Sequence, residues 1–312
     1  MNNQSAHCEI GAFVGNSDGR TPGAPEVRDF EQLINRHLRS ILFFWGWGDG
    51  DFPAAALKEV RDHDGYDTGI IPHITWEPWQ RRGADDDSFS LLSIIEGRHD
   101  AYIARFARDC RAWKNTIRLR FAHEMIHFNN PEIPGWYPWQ DRPQEYVAAW
   151  RRVRGIFKNE NALNVEFIWA PLMYPAWFDA LKNYYPGPDH VEWLGIDGYN
   201  WGGGVRQKWP YEQNVMDLFY PLYHVFVDHP EIFGNKKIMI AEIGTGEDPR
   251  SPNNKPEWIR QMFGWLKNEF PRVEAFYWFN VKKEKDWRVN SSPESLAAFK
   301  SGVADPYFIS HP

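Results

Sequence analysis

The sequence predicts an α/β protein whose fold is a single-domain (β/α)8 TIM barrel covering residues 1–312. Short apolar segments rich in β-branched and aromatic residues recur eight times, and amphipathic helical segments lie between them. Strand followed by helix, repeated eight times, favours a closed parallel barrel over an open sheet. The length also fits, because such barrels typically take about 250 residues as one unit.

The predicted strands are short and mostly apolar, as expected for strands buried on both faces of a parallel sheet. They are residues 8–14, 40–46, 68–74, 116–122, 165–170, 191–199, 237–243 and 273–280. Helical periodicity is clearest in residues 29–38, 99–113, 143–157 and 256–270. The last two helices begin with a proline, which suits the first turn because its missing N–H would be unpaired there. No linker or low-complexity segment divides the chain, so one domain is expected.

Composition limits the classes of function. A net charge of −7 and a pI near 5.9 argue against a nucleic-acid-binding surface. No apolar run approaches the roughly 18 residues of a membrane span, and the N-terminus has no signal-peptide core. The 17 tryptophans are hard to bury in one domain and therefore predict an aromatic-lined cleft. Cys8 and Cys110 show no metal-ligand spacing and are predicted to be free buried thiols rather than a disulfide.

Two glutamates are candidates for catalysis because each lies at the end of a predicted strand. Side chains alternate along a strand, so Glu124 shares a face with Arg120, and Glu242 shares a face with Ile238 and Ile240. If those faces line the barrel, both carboxyl groups meet at its mouth, where the loops after the strands build active sites. Hydrolysis of a glycosidic bond needs such a pair: one acid protonates the leaving oxygen, and one carboxylate attacks or stabilises the anomeric carbon.

The same residues have other interpretations. Glu242 could be a structural ion-pair partner of Arg120, and Glu124 could be a solvated loop residue. Residues 123–127 also match the H-E-x-x-H pattern of zinc peptidases. That pattern requires a helix, whereas here it follows a strand and precedes a segment with two prolines and a glycine. We therefore expect no metal at these residues.

Aromatic residues cluster at or just after the ends of the predicted strands. Flat rings stack on the C–H-rich faces of sugars, so the clustering favours a saccharide cleft over core packing alone. The residues are Trp76, Trp79, Trp136, Tyr137, Trp139, Tyr199, Trp201 and Trp278. The glycines at 202–204 lack the lysine and the following helix of a phosphate-binding loop, so a flexible rim is expected there.

Taken in order, the motifs resemble glycoside hydrolase family 26. Its members are retaining (β/α)8-barrel enzymes, mostly endo-β-mannanases, with some mixed-linkage β-glucanases and β-1,3-xylanases. The resemblance runs nearly from end to end, which makes it far more specific than a single motif. It is carried by the segments ITWEPW, GRHDAYIARFA, RLRFAHEM, GWYPW, VEWLGIDGYNWG, MIAEIGTG, KPEWI and FYWFN.

The resemblance implies a role for each matching residue. Glu124 of the His-Glu pair would be the general acid/base, and Glu242 would be the nucleophile. Tyr199 would hydrogen-bond Glu242, and Arg120 would hold the nucleophile ionised by its positive charge. His123 would contact the sugar or hold the acid/base in place.

The aromatic residues of the predicted substrate site also follow from the resemblance. Trp278 would form the floor under the sugar whose bond is cleaved, and the substrate-binding set is completed by Trp76, Trp136, Trp139 and Trp201. The chain differs from the family beside the leaving group, where Ile126 and His127 replace a common Asn-Gly and residues 128–135 look inserted. Many mannanases also have Trp-Phe-Trp-Trp where residues 136–139 read WYPW. These differences concern specificity rather than chemistry.

The resulting hypothesis is a retaining endo-β-glycosidase that cleaves β-mannan or β-1,3-1,4-glucan by double displacement, without a metal or organic cofactor. A bacterial exopolysaccharide or β-1,3-xylan is an alternative substrate. A non-catalytic carbohydrate-binding barrel is the alternative from another class of protein, and a zinc peptidase is disfavoured. We expect a secreted or extracellular monomer whose partner is a polysaccharide or oligosaccharide, with no nucleic-acid or membrane partner.

Overall fold

Strands and helices alternate along the chain, as the sequence predicts. The computed structural model describes residues 7–15, 21–126, 135–172, 178–201, 214–248 and 254–310. Its strands are β1 Cys8–Phe13, β2 Ser40–Gly46, β3 Ile71–Glu77, β4 Ile117–Phe121, β5 Val165–Trp169, β6 Trp193–Asn200, β7 Lys237–Thr245, β8 Val273–Phe279 and a short β9 Phe308–Ile309. The first eight are parallel neighbours in chain order, and β1 pairs with both β2 and β8. The sheet is therefore closed, and the predicted (β/α)8 barrel is confirmed.

The helices surround the barrel and bury one face against it. They are α1 Ala24–Ile34, α2 Ala54–Arg61, α3 Leu91–Ile95, α4 Asp100–Trp113, α5 Pro143–Asn159, α6 Phe178–Tyr184, α7 Val215–Asp228, α8 Pro230–Phe233, α9 Asn254–Asn268 and α10 Pro293–Val303. Side chains cap several of their N-termini: Asn214 accepts from the Asp217 N–H at 2.9 Å, and Ser292 accepts from the Ser295 N–H at 3.2 Å. Each of the four predicted helices corresponds to an observed one.

Two predicted elements are displaced along the chain. Helix α1 begins and ends earlier than predicted, because the Glu26 carboxylate accepts from the Gly23 N–H at its start and Asn35 ends it in a left-handed conformation, with φ 55°. Strand β3 begins three residues late. Thr68 closes the loop after α2 instead, since its N–H and hydroxyl both donate to the Arg61 carbonyl.

The apolar core has two layers. The outer layer lies between the strands and the helices, and both cysteines are buried in it as free thiols, as predicted. The inner layer fills the barrel with side chains from alternate strand positions, among them Phe13, Leu42, Ile168, Trp193, Met239 and Tyr277. Among the described helices, none combines the length and apolarity needed to cross a bilayer.

A polar network closes the amino-terminal end of the barrel. The Arg118 guanidinium lies 2.6 Å from the Glu9 carboxylate and donates to the Tyr277 hydroxyl at 2.9 Å. That hydroxyl donates to the Ser40 hydroxyl at 2.8 Å. Side chains of the inner core layer fill the interior above this network.

Candidate active site

Arg120 organises the carboxyl-terminal mouth of the barrel. The residue lies on β4, is fully buried, and points inward among the polar side chains of neighbouring strands. Its guanidinium donates to the Thr75 hydroxyl at 2.6 and 2.9 Å and to the Asp197 carboxylate at 2.7 Å. It also donates to the Glu242 carboxylate. One cation thus joins strands β3, β4, β6 and β7 around a common centre.

Glu242 reaches this centre through an irregularity in β7. Ile238 and Ile240 pack in the outer core layer, whereas Met239 and Ala241 belong to the inner layer, so the predicted inward face of this strand is wrong. Simple alternation would send Glu242 outward. The ladder between β6 and β7 shifts by one residue at Ala241, which acts as a β-bulge and returns Glu242 to the interior opposite Asp197.

Two hydrogen bonds stabilise the negative charge of Glu242. Arg120 donates to one carboxylate oxygen, and the Tyr199 hydroxyl donates to the other. Donors on both oxygens fix the orientation of this carboxylate, and a carboxylate held in this way can act as a nucleophile. The structural ion pair considered from the sequence is therefore present. This ion pair does not exclude a catalytic role for Glu242, because it holds the carboxylate at the mouth of the barrel.

Glu124 is held at the mouth by its backbone. Ala122 and Glu124 have φ values of 44° and 49°, so the chain leaves the strand geometry directly after β4. The Ala122 N–H donates to the Trp76 carbonyl at 3.1 Å, and the Glu124 N–H donates to the Ala170 carbonyl at 2.9 Å. These bonds fix the turn between β3 and β5. The side chain accepts a hydrogen bond from the Trp136 indole at 3.3 Å.

The environment of Glu124 favours its protonated form. Burial raises the pKa of Glu124 to about 8, and the negative charge of Glu242 contributes in the same direction. Arg120 and the Trp136 hydrogen bond oppose this shift only in part. A carboxyl group whose environment favours its proton therefore lies beside a carboxylate that accepts hydrogen bonds on both oxygens. Two neighbouring acids with different environments are the arrangement that assigns one as proton donor and the other as nucleophile.

Two further carboxyl groups lie at the same centre, and sequence reasoning missed both. Glu77 ends β3, is buried, and accepts from the Trp79 indole at 3.2 Å and from Arg81 at 3.4 Å. Burial raises the pKa of Glu77 to about 7 against the opposing field of Arg81. Asp197 is fully buried on β6, and burial raises its pKa despite the contact with Arg120.

His123 supports the mouth as a neutral imidazole. Burial lowers its pKa well below the ordinary value, and the positive charge of Arg120 adds to the effect. Its Nε2 lies 3.1 Å from the Tyr137 hydroxyl, and its carbonyl accepts from the Trp139 indole at 2.7 Å. Its Nδ1 has no hydrogen-bond partner within the described part of the chain. The residue contacts the aromatic segment after β4 rather than Glu124 itself.

A third missed residue, Gln140, joins that aromatic segment to the acid. The Gln140 side chain donates to the Glu124 carbonyl at 2.7 Å and accepts from the Trp136 N–H at 3.0 Å. The Tyr137 and Trp139 rings stack with centroids 4.6 Å apart, and the Trp139 ring is almost fully buried. Trp139 therefore holds the aromatic segment in place, and its predicted contact with the substrate is corrected because the ring is buried. Trp136 is half-buried at the surface of the mouth.

Half-buried aromatic rings surround the carboxyl groups. An aromatic ring that is partly open to solvent can stack on a sugar face while its remaining surface packs against the protein. In addition to Trp136, the set consists of Phe44, Trp79, Tyr137, Tyr199, Trp201 and Phe279. Trp201 packs edge-on against the buried Trp287, which also contacts Tyr199. This arrangement agrees with the predicted aromatic cleft.

Two predicted substrate-binding tryptophans lie elsewhere and are corrected. Trp76 is fully buried on the outer face of β3, where its ring stacks on Phe106 of α4 at 4.4 Å. Trp278 is fully buried on the outer face of β8 and packs against Phe299 of α10 at 5.2 Å. Both have the wrong parity along their strands to face the interior. The inward ring at the end of β8 belongs to Phe279 instead.

The zinc-peptidase interpretation is not supported by the described residues. Residues 122–126 form no helix, so the geometry that H-E-x-x-H requires is missing. His127 and the glycines at 202–204 lie outside the described residues. Within the described part of the chain, histidines and carboxylates close enough to share a metal ion are found at the opposite end of the barrel, not at this mouth.

Comparison with known proteins relates this geometry to two curated relatives. The chain is 32% identical to Endoglucanase H of Acetivibrio thermocellus over 317 residues, which cover 97% of this chain and 31% of that protein. It is 26% identical over 177 residues to mannan endo-1,4-β-mannosidase A and B of Caldalkalibacillus mannanilyticus, covering 54% of this chain and 28% of that protein. The chain thus spans about a third of the length of the curated relatives it matches. No family model matches it.

Solved structures share the fold over nearly the whole chain. The catalytic domain of a family 26 endo-β-1,4-mannanase from Bacillus sp. JAMB-750 aligns with a TM-score of 0.71 at 14% identity, covering 97% of this chain and 87% of that one. A family 26 β-mannanase from Bacteroides ovatus aligns with a TM-score of 0.67 at 14% identity, covering 98% and 91%. At these identities the likeness concerns the fold, and both neighbours are named as members of the family that the sequence resembles.

Proposed function

We infer that the chain belongs to glycoside hydrolase family 26, and we propose that it is a retaining endo-β-glycanase. The observation that carries the proposal is the pair of buried glutamates at the ends of β4 and β7, which differ in environment. Glu242 accepts hydrogen bonds on both oxygens, whereas burial and the charge of Glu242 raise the pKa of Glu124 to about 8. Retaining hydrolysis needs a nucleophilic carboxylate and a protonated acid at one centre.

In the first step, Glu242 attacks the anomeric carbon while Glu124 donates its proton to the leaving glycosidic oxygen. The bond between the sugar and the leaving chain breaks, and an ester forms between the sugar and Glu242. Arg120 and Tyr199 hold the attacking carboxylate in position before the ester forms. This step requires no metal ion.

The second step uses the same two residues with their charges changed. Once Glu242 is esterified, its negative charge is gone, and with it one of the causes that raise the pKa of Glu124. Glu124 is by then deprotonated and can accept a proton from water as that water attacks the anomeric carbon. Breakdown of the ester restores the Glu242 carboxylate, and Glu124 recovers its proton.

We propose a neutral β-linked polysaccharide as the substrate, with the backbone of a β-glucan, including β-1,3-1,4-glucan, ahead of β-mannan. The half-buried aromatic rings at the mouth suit pyranose faces, and the carboxyl groups around Arg120 disfavour an anionic sugar. The relative that aligns over nearly the whole chain is named an endoglucanase, whereas the relative named a mannosidase aligns over about half of it. A structural neighbour was solved with a gluco-manno-oligosaccharide.

The proposal is tested by incubating the protein with a panel of β-glucans, mannans and xylans and measuring new reducing ends. Glu124→Ala should lose most activity on polysaccharides but retain activity on aryl glycosides, whose leaving groups need little protonation. Glu242→Ala should be inactive on both and should form a glycosyl azide of inverted configuration when azide is added. Glu257→Ala, at an exposed ion pair on α9, is the matched control and should behave as the wild type.

The alternative function is a carbohydrate-binding barrel without catalysis. Saturable polysaccharide binding with no cleavage across the whole panel would establish that alternative and refute the hydrolase. An exchanged pattern for the two glutamate variants would instead reverse their roles. We also propose that the protein acts as a monomer outside the cell, where its polymeric substrate is found; gel filtration and fractionation of the producing cells test these two statements.

A further inference from the structure

A cluster of two imidazoles and two carboxylates lies at the end of the barrel opposite the catalytic mouth. Its members are Glu31 near the end of α1, His37 in the loop before β2, and His63 and Asp64 just after α2. One donor atom from each residue lies within 4.8 Å of the other three. From this geometry we propose that the cluster binds a divalent transition-metal ion, with Zn²⁺ as the preferred ion.

The orientation of His63 is set by a residue outside the cluster. The imidazole is fully buried, and its Nδ1 lies 2.7 Å from the Val60 carbonyl oxygen. A carbonyl can only accept, so Nδ1 carries the hydrogen. Nε2, which lies 2.9 Å from the Glu31 carboxylate, is therefore the nitrogen available to bind a metal ion. Metal-bound histidines usually donate their other N–H to a carbonyl or carboxylate, as His63 does here.

A backbone hydrogen bond orients the Glu31 carboxylate toward the cluster. It is a buried carboxylate whose Oε1 accepts from the Leu38 N–H at 2.7 Å. Its Oε2 is thereby directed at the cluster, where it lies 2.8 Å from His37 Nδ1. Asp64 completes the set, with Oδ2 at 3.7 Å from His63 Nε2. Its other oxygen faces Arg28 at 3.9 Å, too far for a hydrogen bond that would hold it away.

The donor set favours Zn²⁺ over the harder cations. Two imidazole nitrogens and two carboxylate oxygens can surround a four-coordinate ion at bonds of about 2.0–2.2 Å. Ca²⁺ and Mg²⁺ prefer oxygen ligands throughout and would be bound poorly. His37 and Asp64 are partly exposed and leave a path for the ion, whereas Glu31 and His63 are buried. The ion would join α1 to the segments that precede β2 and β3, and would take no part in the reaction at the far end.

The test is metal binding by the whole chain, without reference to activity. Protein stripped with a chelator is titrated with ZnCl₂ by calorimetry, and with CoCl₂ by visible absorption. We expect one saturable site for Zn²⁺, an intense tetrahedral Co²⁺ spectrum, and no saturation by Ca²⁺. His37→Ala and Asp64→Asn each remove one partly exposed ligand and should weaken Zn²⁺ binding by about 10-fold or more. His224→Ala removes a histidine from an exposed pair with Asp228 and should bind as the wild type.

Thermal unfolding provides the second measurement. Zn²⁺ in excess over its dissociation constant should raise the melting temperature of the wild type and of His224→Ala, because it binds the folded state. It should not raise the melting temperature of the His37→Ala/Asp64→Asn double variant, whose fold is checked by circular dichroism. Absence of saturable Zn²⁺ binding to the wild type, or equal binding by the double variant, would overturn the proposal and leave a proton shared between His63 and Glu31.

Discussion

Replacing Glu242 by glutamine should change the proton affinity of Glu124. The substitution keeps the shape of the side chain and an oxygen that can accept from Arg120, but it removes the negative charge. In a retaining enzyme the two carboxyl groups lie about 5.5 Å apart, and at an effective dielectric constant near 20 their repulsion is about 3 kcal/mol. Since about 1.4 kcal/mol corresponds to one pH unit, the midpoint for Glu124 should move about two units toward acid.

The Trp136 indole is the probe for this titration. Its N–H donates to the Glu124 carboxylate at 3.3 Å, so its nitrogen and proton chemical shifts report the charge on that oxygen. In the wild type the indole signal, assigned with a Trp136→Phe variant, should titrate near the pKa of about 8 that burial and Glu242 produce. In Glu242→Gln the midpoint should lie lower, yet above the ordinary carboxyl range, because burial remains.

The control is Glu257→Gln, which removes an exposed charge on α9 and should leave the midpoint unchanged. A midpoint for Glu242→Gln that coincides with the wild type would mean that the two carboxyl groups do not sense each other. That result would refute both the electrostatic reasoning and the shared anomeric centre on which retaining hydrolysis depends.

Three further predictions concern stability. Burial raises the pKa of Glu77 to about 7, so the free energy of unfolding is highest below the ordinary pKa of 4.5 and falls as the pH rises toward 7. Glu77→Gln should remove this loss: in urea unfolding, the variant should gain about 3 kcal/mol relative to the wild type between pH 5 and pH 8. Arg120→Met leaves buried carboxylates unpaired and should cost about 3–5 kcal/mol, with no activity, whereas an unchanged urea midpoint would contradict the proposed pairing. Gly11→Ala places a Cβ 2.5 Å from the Tyr277 ring and should cost about 1–3 kcal/mol. Gly155→Ala, within α5 and with open space around its Cβ, is the control and should stabilise the protein by about 0.5–1 kcal/mol; a Gly11 variant as stable as that one would disprove the clash.

The barrel was predictable because its strands are recognised by local composition, and the eight-fold alternation leaves few other folds. The position of a strand along its segment was less predictable. Residues 68–74 are as apolar as a strand, but Thr68 is used by the preceding loop, and the strand starts at Ile71. Because of this offset, Glu77 lies outside the predicted strand, and the sequence alone does not place it on the inner face.

Side-chain direction was the least predictable feature of the site. Glu242 lies at the mouth as expected but arrives there through the bulge at Ala241, which strict alternation cannot show. Asp197, by contrast, has the same parity as Tyr199 on β6, so alternation could have identified it. Motif position alone predicts Trp76 and Trp278 as substrate-binding residues, but both lie on the outer faces of their strands, where each large ring packs against a helix.

The left-handed turn after β4 sets a rule for making chimaeras of this barrel. Ala122 and Glu124 both adopt positive φ, and their N–H groups are bonded to carbonyls of the two adjacent strands. Transplanting the following loop from a relative with another sugar preference should therefore place the splice point beyond Glu124. A graft that begins earlier would also replace the turn at residues 122–124, which orients the Glu124 side chain. The chimaera would then have a new loop but a displaced proton donor.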